Sequence, residues 1–275
     1  MKYMGLVNSC FLRILEKFPT LYKPAHELLV KYLHYKYDFI NFLSTSGIYR
    51  KKYFSLSGQD KWVIKEVFNE KRRGFFLDIG AYDGFFINNT YILERDFNWN
   101  GICVEPSEKN FDLMINKYYR KCLCVKELVD GAIDEVNFIE ADDASGIVSN
   151  DTAYNETYRH KEITKSKAQN MFIKLKPITL VQLLQKYNAP KIIDYFSFDV
   201  EGAEERILKN FPFEKYIFLS ITIERPTPEL NKILFKNGYI FIKNSLFDSF
   251  YVHRSHPNLN SIKKQPFQQI EEKIF

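Results

Sequence analysis

The sequence predicts an α/β protein with a seven-stranded, mostly parallel sheet and helices on both faces, a Rossmann-like arrangement. Short apolar runs of strand length alternate with segments whose apolar residues recur at helical spacing. The first clear run, residues 75–79, is followed by a turn that contains Gly80 and Gly84. The second run, residues 101–104, ends in a carboxylate, Glu105. A glycine turn after one strand and an acid at the tip of the next are typical of a nucleotide-binding βαβ unit.

Seven apolar runs are predicted to be the strands of this sheet, because each has strand length and is bounded by turn residues or by a predicted helix. They are residues 75–79, 101–104, 122–129, 192–198, 216–223, 239–242 and 250–252. Residues 136–141 are predicted to add a further strand. Helices are predicted between the strands, begun by capping residues that include Asn88 or Asn89, Ser107 and Thr179.

The composition is ordinary for a globular protein of 275 residues, with 45% hydrophobic and 27% charged residues. The net charge of +5 favours a solvated surface over nucleic-acid binding, and it leaves an acidic substrate or a peripheral membrane contact open. The four cysteines show no metal-ligand spacing, so we expect no zinc and a reducing, cytoplasmic compartment. No apolar stretch reaches the ~18–20 residues of a membrane-spanning helix, and residues 1–18 are too polar for a signal peptide.

Four regions are expected along the chain. Residues 1–52 are predicted to form a helical appendage, which either packs on the core or contacts a membrane surface or partner. Residues 53–253 form the main domain, and residues 254–275 a peripheral tail. Within the main domain, residues 141–176 are an insertion with a basic run. The insertion is either a substrate lid that receives an anionic acceptor or a solvated, mobile loop.

The residue before the glycine turn decides which nucleotide is expected. A dinucleotide fingerprint has a glycine at the position of Asp78. A carboxylate there repels a pyrophosphate and suits a cationic ligand. S-adenosylmethionine (SAM) carries a sulfonium and an ammonium group, so Asp78, Gly80 and Gly84, followed by Glu105, predict a SAM site. Glu105 can accept hydrogen bonds from a ribose diol.

Several blocks in order resemble the FkbM-type methyltransferases: FSLSGQD (54–60), GFFLDIGAYDG (74–84), NTYILE (89–94), WNGICVEP (99–106), IDYFSFDVEGAE (193–204) and ITIERP (221–226). The resemblance covers roughly residues 53–252. It implies the class I SAM-dependent methyltransferase fold and, most often, O-methylation. It also implies that the acceptor is a small molecule or saccharide, for example a sugar in a glycan, glycolipid or natural product.

The resemblance extends the set of expected SAM contacts. It adds residues of the matched blocks that flank the glycine turn and the second strand: Gln59, Asp60, Ala81, Asn89, Thr90 and Pro106. For Asp60 an alternative stays open, namely that it caps the following helix. The backbone near residues 128–130 is where a class I methyltransferase would bind adenine.

The predicted reaction centre follows the strand at residues 192–198, because ligands of open α/β sheets bind beyond the carboxyl ends of the strands. Asp199 and Glu201 are expected to face the transferred methyl group, with Glu224 at the same rim. A carboxylate there can remove the acceptor's hydroxyl proton and position the oxygen. Alternatively, Asp199 caps the next helix, and Glu201 and Glu204 complement its dipole. The three carboxylates could also hold Mg²⁺, but we expect no metal.

Arg225 departs from the resembled family, in which many members have a histidine at this position. The departure excludes a histidine base there. Arg225 is therefore predicted to bind substrate by holding a carboxylate or phosphate, or else to pair with Glu224.

Two other functions stay open. A dinucleotide-dependent oxidoreductase is compatible with Glu105 but is opposed by Asp78. A non-catalytic SAM-fold partner in glycan assembly is opposed by the presence of Asp199 and Glu201.

Overall fold

The protein is described by a computed structural model that covers residues 53–131, 134–140, 145–149 and 172–270, together with residues 31, 32, 35, 36 and 39. The chain divides into two compact units, residues 1–52 and residues 53–275. In the first unit the described residues are helical. Residues 1–30, 33, 34, 37, 38 and 40–52 of the predicted helical appendage lie outside the described residues, as do residues 141–144 and 150–171 of the predicted insertion.

A seven-stranded sheet forms the centre of the second unit, as the sequence predicts. Its spatial order is β3–β2–β1–β7–β8–β10–β9, and the pairs from β3 to β8 are parallel. The last two pairs, β8 with β10 and β10 with β9, are antiparallel. The strands are β1 (Phe75–Ile79), β2 (Asn100–Val104), β3 (Leu123–Val125), β7 (Ile192–Phe198), β8 (Ile217–Glu224), β9 (Tyr239–Ser245) and β10 (Asp248–His253).

The added strand predicted at residues 136–141 does not join this sheet. It is β4 (Val136–Ile139), the central strand of a separate antiparallel sheet with β5 (Gly146–Ile147) and β6 (Phe172–Leu175). The third strand of the main sheet is also shorter than predicted. The apolar run continues past Val125, but Val129 makes only an isolated bridge with Ile178.

Two of the predicted capping residues, Ser107 and Thr179, cap helices in the structure, whereas Thr90, and not Asn88 or Asn89, holds the N-cap position of the helix that follows the glycine turn. Ser107 caps α3 (Glu108–Asp112), Thr179 caps α4 (Leu180–Lys186) in a capping box, and Thr227 caps α6 (Pro228–Lys236). The remaining helices are α1 (Gln59–Trp62), α2 (Tyr91–Phe97) and α5 (Glu204–Leu208). The helices α1 and α3 each continue into a π-helical segment, Val63–Val67 after α1 and Leu113–Lys117 after α3.

The core lies between the helices and the two faces of the main sheet. The central strands β1 and β7 are apolar and buried along nearly their whole length, as expected for parallel strands covered on both faces. Phe196, Phe198 and Phe218 stack with ring centroids 4.6 Å apart. Burying each such ring stabilises the fold by about 1.5–3 kcal/mol. The sheet is therefore rigid where its carboxyl edge carries the polar residues described next.

None of the helices in the described residues is both long enough and apolar enough to cross a lipid bilayer.

Candidate active site

A cavity of about 150 Å³ opens at the carboxyl edge of the main sheet. A smaller cavity of about 40 Å³ lies beside it, and Gly80, Glu105, Ser145 and Asp199 line both. The smaller cavity is also lined by Glu127, Leu128 and Val129, the backbone region where adenine is expected. The larger cavity is lined by Leu56, Gln59, Asp78, Ala81, Tyr82, Phe86, Ile87, Asn88, Asn89, Asn110, Glu201, Glu224, Phe247 and Asp248 in addition.

Gly80 joins the two sides of the cavity. Its φ is +81°, and a Cβ there would lie 1.7 Å from the carbonyl oxygen of Asp199. The amides of Gly80 and Ala81 both donate to the Val104 carbonyl at 3.1 Å, and the Asp199 amide donates to Ile79 at 3.2 Å. Only glycine fits here, because the conformation is left-handed and the neighbouring backbone is in contact.

Glu105 lies at the tip of β2, as predicted, and is almost fully buried. Its carboxylate accepts hydrogen bonds from the amides of Tyr82 (3.0 Å) and Ser107 (2.9 Å). Burial raises the pKa of Glu105 to about 8, against the lowering effect of these two amides, and the nearby Asp83 raises it further. A carboxylate has about four lone-pair sites, so Glu105 retains acceptor capacity for a ribose diol.

Asp78 lies below the turn and lines the larger cavity. One of its oxygens accepts from the Thr90 hydroxyl at 2.7 Å and from the Asn88 amide at 3.0 Å. Ser197 on β7 also hydrogen-bonds to the carboxylate. Burial raises the pKa of Asp78, while Thr90 and the charge of Arg120 lower it.

The other predicted cofactor contacts fall into two groups. Ala81 and Asn89 line the larger cavity, and Asn89 donates to the Ser197 hydroxyl at 3.0 Å. Pro106 lines the smaller cavity. Gly84, in the turn itself, and Thr90, which follows it, are not among the residues that line either cavity.

Gln59 and Asp60 differ in placement. Gln59 lines the larger cavity. Asp60 is fully buried and its carboxylate accepts from the amide and hydroxyl of Ser55 and from the amide of Phe54. The alternative that Asp60 caps α1 is wrong, because Gly58 holds the N-cap position and Asp60 lies inside the helix. Asp60 instead ties the preceding loop to α1.

The predicted reaction centre is brought together as a carboxylate cluster of Asp199, Glu201 and Glu224. One oxygen of each lies within 4.8 Å of the others. Burial raises the pKa of Asp199 well above its usual value, and the charges of Glu224 and Glu201 raise it further. Glu201 has a φ of +60°, followed by Gly202 at +99°. Such left-handed backbone at a non-glycine residue is unusual and is concentrated at functional sites.

The alternative that Asp199 caps the next helix is wrong. The N-cap position of α5 is held by Ala203, and no side chain caps it. Glu204, in the first turn, accepts from the Val200 amide at 2.9 Å and complements the helix dipole. The carboxylate of Asp199 is thus not required to cap the helix.

The carboxylate cluster is the one group of acidic, histidine or cysteine side chains within the described residues whose spacing suits a metal ion. Hard divalent cations take such oxygen ligands. A bound proton can also reduce the repulsion between these carboxylates, since the raised pKa of Asp199 favours its neutral form.

Asp248 was not predicted as a site residue, although it lines the cavity beside the carboxylate cluster. It is the first residue of β10 and pairs with Glu224 in the antiparallel register. Its carboxylate accepts from the Ser57 hydroxyl at 2.5 Å. Burial raises the pKa of Asp248 to about 7, with a further contribution from Glu224. An antiparallel return strand begins where its partner ends, and that topology was the available signal.

Arg225 is not among the residues that line the cavity. Its guanidinium lies over the Phe247 ring at 4.5 Å and within 3.3 Å of a Glu224 oxygen. Its φ is +41°, and its amide donates to the Phe247 carbonyl at 2.8 Å. The predicted alternative, a pair with Glu224, is the arrangement found.

Comparison with known sequences gives one domain family. The methyltransferase FkbM domain matches residues 78–241, which include the glycine turn, Glu105 and the carboxylate cluster. Among curated proteins, none matches the chain.

Several solved structures resemble the fold at low identity. A TehB-like SAM-dependent methyltransferase from Corynebacterium glutamicum shares 10% identity over 84% of this chain and 100% of its own, with a TM-score of 0.39. The fibrillarin pre-rRNA processing protein of Methanococcus jannaschii shares 12% over 68% of this chain and 69% of its own, with a TM-score of 0.36. The precorrin-6Y C5,15-methyltransferase of Geobacter metallireducens shares 11% identity over 74% of this chain and 90% of its own, with a TM-score of 0.34. These values are too low to assign a function.

Proposed function

The chain belongs to the FkbM methyltransferase family, and from this premise we propose that it methylates a hydroxyl group of an uncharged saccharide. The cofactor of this methyltransferase is SAM. The observation that carries the proposal is the convergence of Asp199, Glu201 and Glu224 on the cavity that Gly80 and Glu105 also line.

The residues on the β1 and β2 side of the cavity fit SAM. Gly80 lines the cavity without a side chain, and its contact with the Asp199 carbonyl holds the ends of β1 and β7 together there. Glu105 offers acceptor sites for a ribose diol, and Asp78 supplies negative charge to a cavity that would hold a cationic ligand. When bound, SAM supplies an electrophilic methyl group on a sulfonium.

The carboxylate cluster performs the acid–base part of the reaction in this proposal. The acceptor oxygen forms a bond to the methyl carbon, the carbon–sulfur bond breaks with its electron pair going to sulfur, and the hydroxyl proton moves to a carboxylate. Asp199 is the preferred base because it lies in the carboxylate cluster that lines the cavity, and its raised pKa makes its ionised form a stronger proton acceptor. A positioned base contributes about 10²–10⁴-fold, and orienting the hydroxyl can contribute several kcal/mol more, up to about 7–11 kcal/mol in model reactions.

The charge balance of the cavity favours an uncharged acceptor. Asp199, Glu201, Glu224 and Asp248 all line it. The neighbouring cation, Arg225, pairs with Glu224. A phosphate or carboxylate on the acceptor, or a nucleic-acid backbone, would meet like charges there. We therefore do not retain the interpretation that Arg225 holds an anionic substrate group.

The apolar rim supports the saccharide as acceptor. Phe247 lines the cavity, is 39% exposed and carries the Arg225 guanidinium near its ring. An aromatic face beside several carboxylates suits a sugar, whose C–H face is apolar and whose hydroxyls donate hydrogen bonds. We also propose a cytoplasmic location, since the described cysteines Cys103, Cys122 and Cys124 are free thiols.

A turnover assay tests the proposal. Conversion of SAM to S-adenosylhomocysteine is measured with a panel of neutral glycosides and the matched uronic acids. We expect turnover with at least one neutral glycoside, and at least about tenfold less with its uronic acid. Asp199→Asn should lower that turnover about 10²–10⁴-fold.

Asp194→Asn is the matched control, because Asp194 lies at the opposite end of the same strand and pairs with Lys71. It should retain turnover. Turnover only with anionic acceptors would overturn the uncharged-acceptor assignment. No turnover with any acceptor, while SAM binds, would favour the non-catalytic alternative.

A further inference from the structure

Arg120 has a completely buried side chain directly behind the glycine turn. A buried guanidinium is costly unless hydrogen bonds satisfy it. Arg120 donates to the carbonyl of Gly84 at 2.8 Å, to Asn88 Oδ1 at 3.1 Å, to Thr90 Oγ1 at 3.0 Å and to Glu94 Oε2 at 3.1 Å. These partners span the end of the turn and the start of α2.

The contacts of Arg120 fix which way two neighbouring groups point. Because Arg120 donates to Asn88 Oδ1, the amide nitrogen of Asn88 must face the other side. That nitrogen donates to Asp78 at 3.0 Å and to the Ala81 carbonyl at 3.2 Å. The Oδ1 atom also accepts from the amides of Thr90 (2.9 Å) and Tyr91 (2.8 Å), which fixes the start of α2 to the same group.

Arg120 also fixes the direction of the Thr90 hydroxyl group. Its hydroxyl accepts from Arg120, so its single proton is available to Asp78, whose oxygen lies 2.7 Å away. Arg120 therefore orients two of the donors of Asp78, Asn88 and Thr90, and adds a positive charge behind it. The backbone of the turn is held by the same guanidinium through Gly84.

We propose that Arg120 is a positioning residue for SAM binding, which holds the glycine turn in place and keeps Asp78 oriented without touching the cofactor. The proposal rests on the SAM site described above. Arg120 is not among the residues that line either cavity, so its effect on the cofactor is transmitted through Gly84, Asn88, Thr90 and Asp78.

Few other titratable groups face this network. Cys103 on β2 and Tyr195 on β7 face Asp78, and burial raises the pKa of both. Both side chains are therefore neutral in the working range. Glu94 on α2 and Cys122 before β3 face Arg120. Burial raises the pKa of Glu94, and hydrogen bonds from Cys103 and Cys124 lower that of Cys122.

The test measures SAM affinity by calorimetry across about pH 6–8.5 for the wild type, Arg120→Gln, Arg120→Lys and Lys71→Met. We expect Arg120→Gln to weaken SAM binding about 10–100-fold, which is the range for hydrogen bonds to charged groups, with the rate at saturating SAM changed less than about threefold. As the pH is lowered, protonation of Asp78 should weaken SAM binding. Without the guanidinium charge the pKa of Asp78 rises, so this loss of affinity should begin at a higher pH than in the wild type.

Arg120→Lys keeps the charge, so it should keep the wild-type pH profile with a smaller loss of affinity; it decides the question if Arg120→Gln does not fold. Lys71→Met removes a partly exposed ion pair with Asp194 at the far edge of the sheet and should leave both affinity and profile unchanged. Wild-type affinity and pH profile in a folded Arg120→Gln would overturn the positioning role alone. A wild-type protein that does not bind SAM would overturn the cofactor site itself.

Discussion

The carboxylates on the two sides of the cavity differ in what surrounds them. On the cofactor side, formed by β1 and β2, each acid has donors: Asp78 has Thr90, Asn88 and Ser197, and Glu105 has two backbone amides. On the acceptor side, formed by β7, β8 and β10, the acids mainly face one another. There burial raises the pKa of Asp199, and the charges of Glu224 and Glu201 raise it further.

This difference separates binding from reaction. Groups that are fully hydrogen-bonded are preorganised and hold one geometry, which suits a cofactor site. Groups whose pKa is raised by like charges are poised to take up a proton, which suits a general base. Burial raises the pKa of acids on both sides, so each side carries a cost in stability, and on the cofactor side the hydrogen bonds offset part of it.

The largest effect should come from breaking the contact that joins the two sides. Gly80→Ala places a Cβ against the Asp199 carbonyl at 1.7 Å in a left-handed conformation. We expect a loss of activity greater than about 100-fold, since misplacement of about 1 Å can cost that much. Turnover with SAM and the acceptor found above is the measurement.

Gly58→Ala is the matched control for this change. Gly58 has nearly the same φ, +82°, but a Cβ there would meet nothing within 4 Å. It should lose only about 1 kcal/mol of stability and keep activity within about threefold. Equal losses in both variants would mean that backbone conformation, and not the contact with Asp199, explains the effect.

A smaller effect tests whether burial in the folded protein raises the pKa of Glu105. Its pKa is about 8 in the folded protein and 4.5 by itself, so the stability it contributes is lost as pH rises from about 4.5 to 8. Without SAM, Glu105→Gln should gain about 2–4 kcal/mol relative to the wild type between about pH 5 and pH 8. Urea unfolding at both pH values measures it, and a pH-independent difference would contradict the raised pKa.

The smallest effect should come from removing divalent cations. Glu224 already pairs with Arg225, and a proton can relieve the crowding around Asp199. Dialysis against EDTA should therefore change turnover less than about twofold. A large loss that Mg²⁺ restores would show that the carboxylate cluster binds a metal ion.

The strands and the glycine turn could be predicted because their signals are local. Apolar runs bounded by turns locate β1, β2, β7 and β8 to within a residue. Asp199, at the end of β7, follows from the general position of ligands at the carboxyl edge. These features depend on residues that are neighbours in the chain.

The residues that were missed depend on long-range pairing. Asp248 reaches the cavity through the antiparallel register of β10 with β8. Arg120 lies in a polar run, residues 119–121, which is typical of a surface segment. In the structure its side chain is fully buried against residues about 30 positions earlier in the chain. Neither interpretation of Asp60, a SAM contact or a cap of the following helix, includes its partners in the structure, which precede the helix.

One paired measurement tests the division between the two sides most directly: the SAM dissociation constant and the single-turnover rate at saturating SAM, for Glu105→Gln and Asp199→Asn. Glu105→Gln should weaken SAM binding about tenfold or more and leave the rate within about threefold. Asp199→Asn should do the reverse, with affinity nearly unchanged and the rate lowered about 10²–10⁴-fold. If both substitutions change the same quantity, the two sides do not divide binding from reaction, and the account is contradicted.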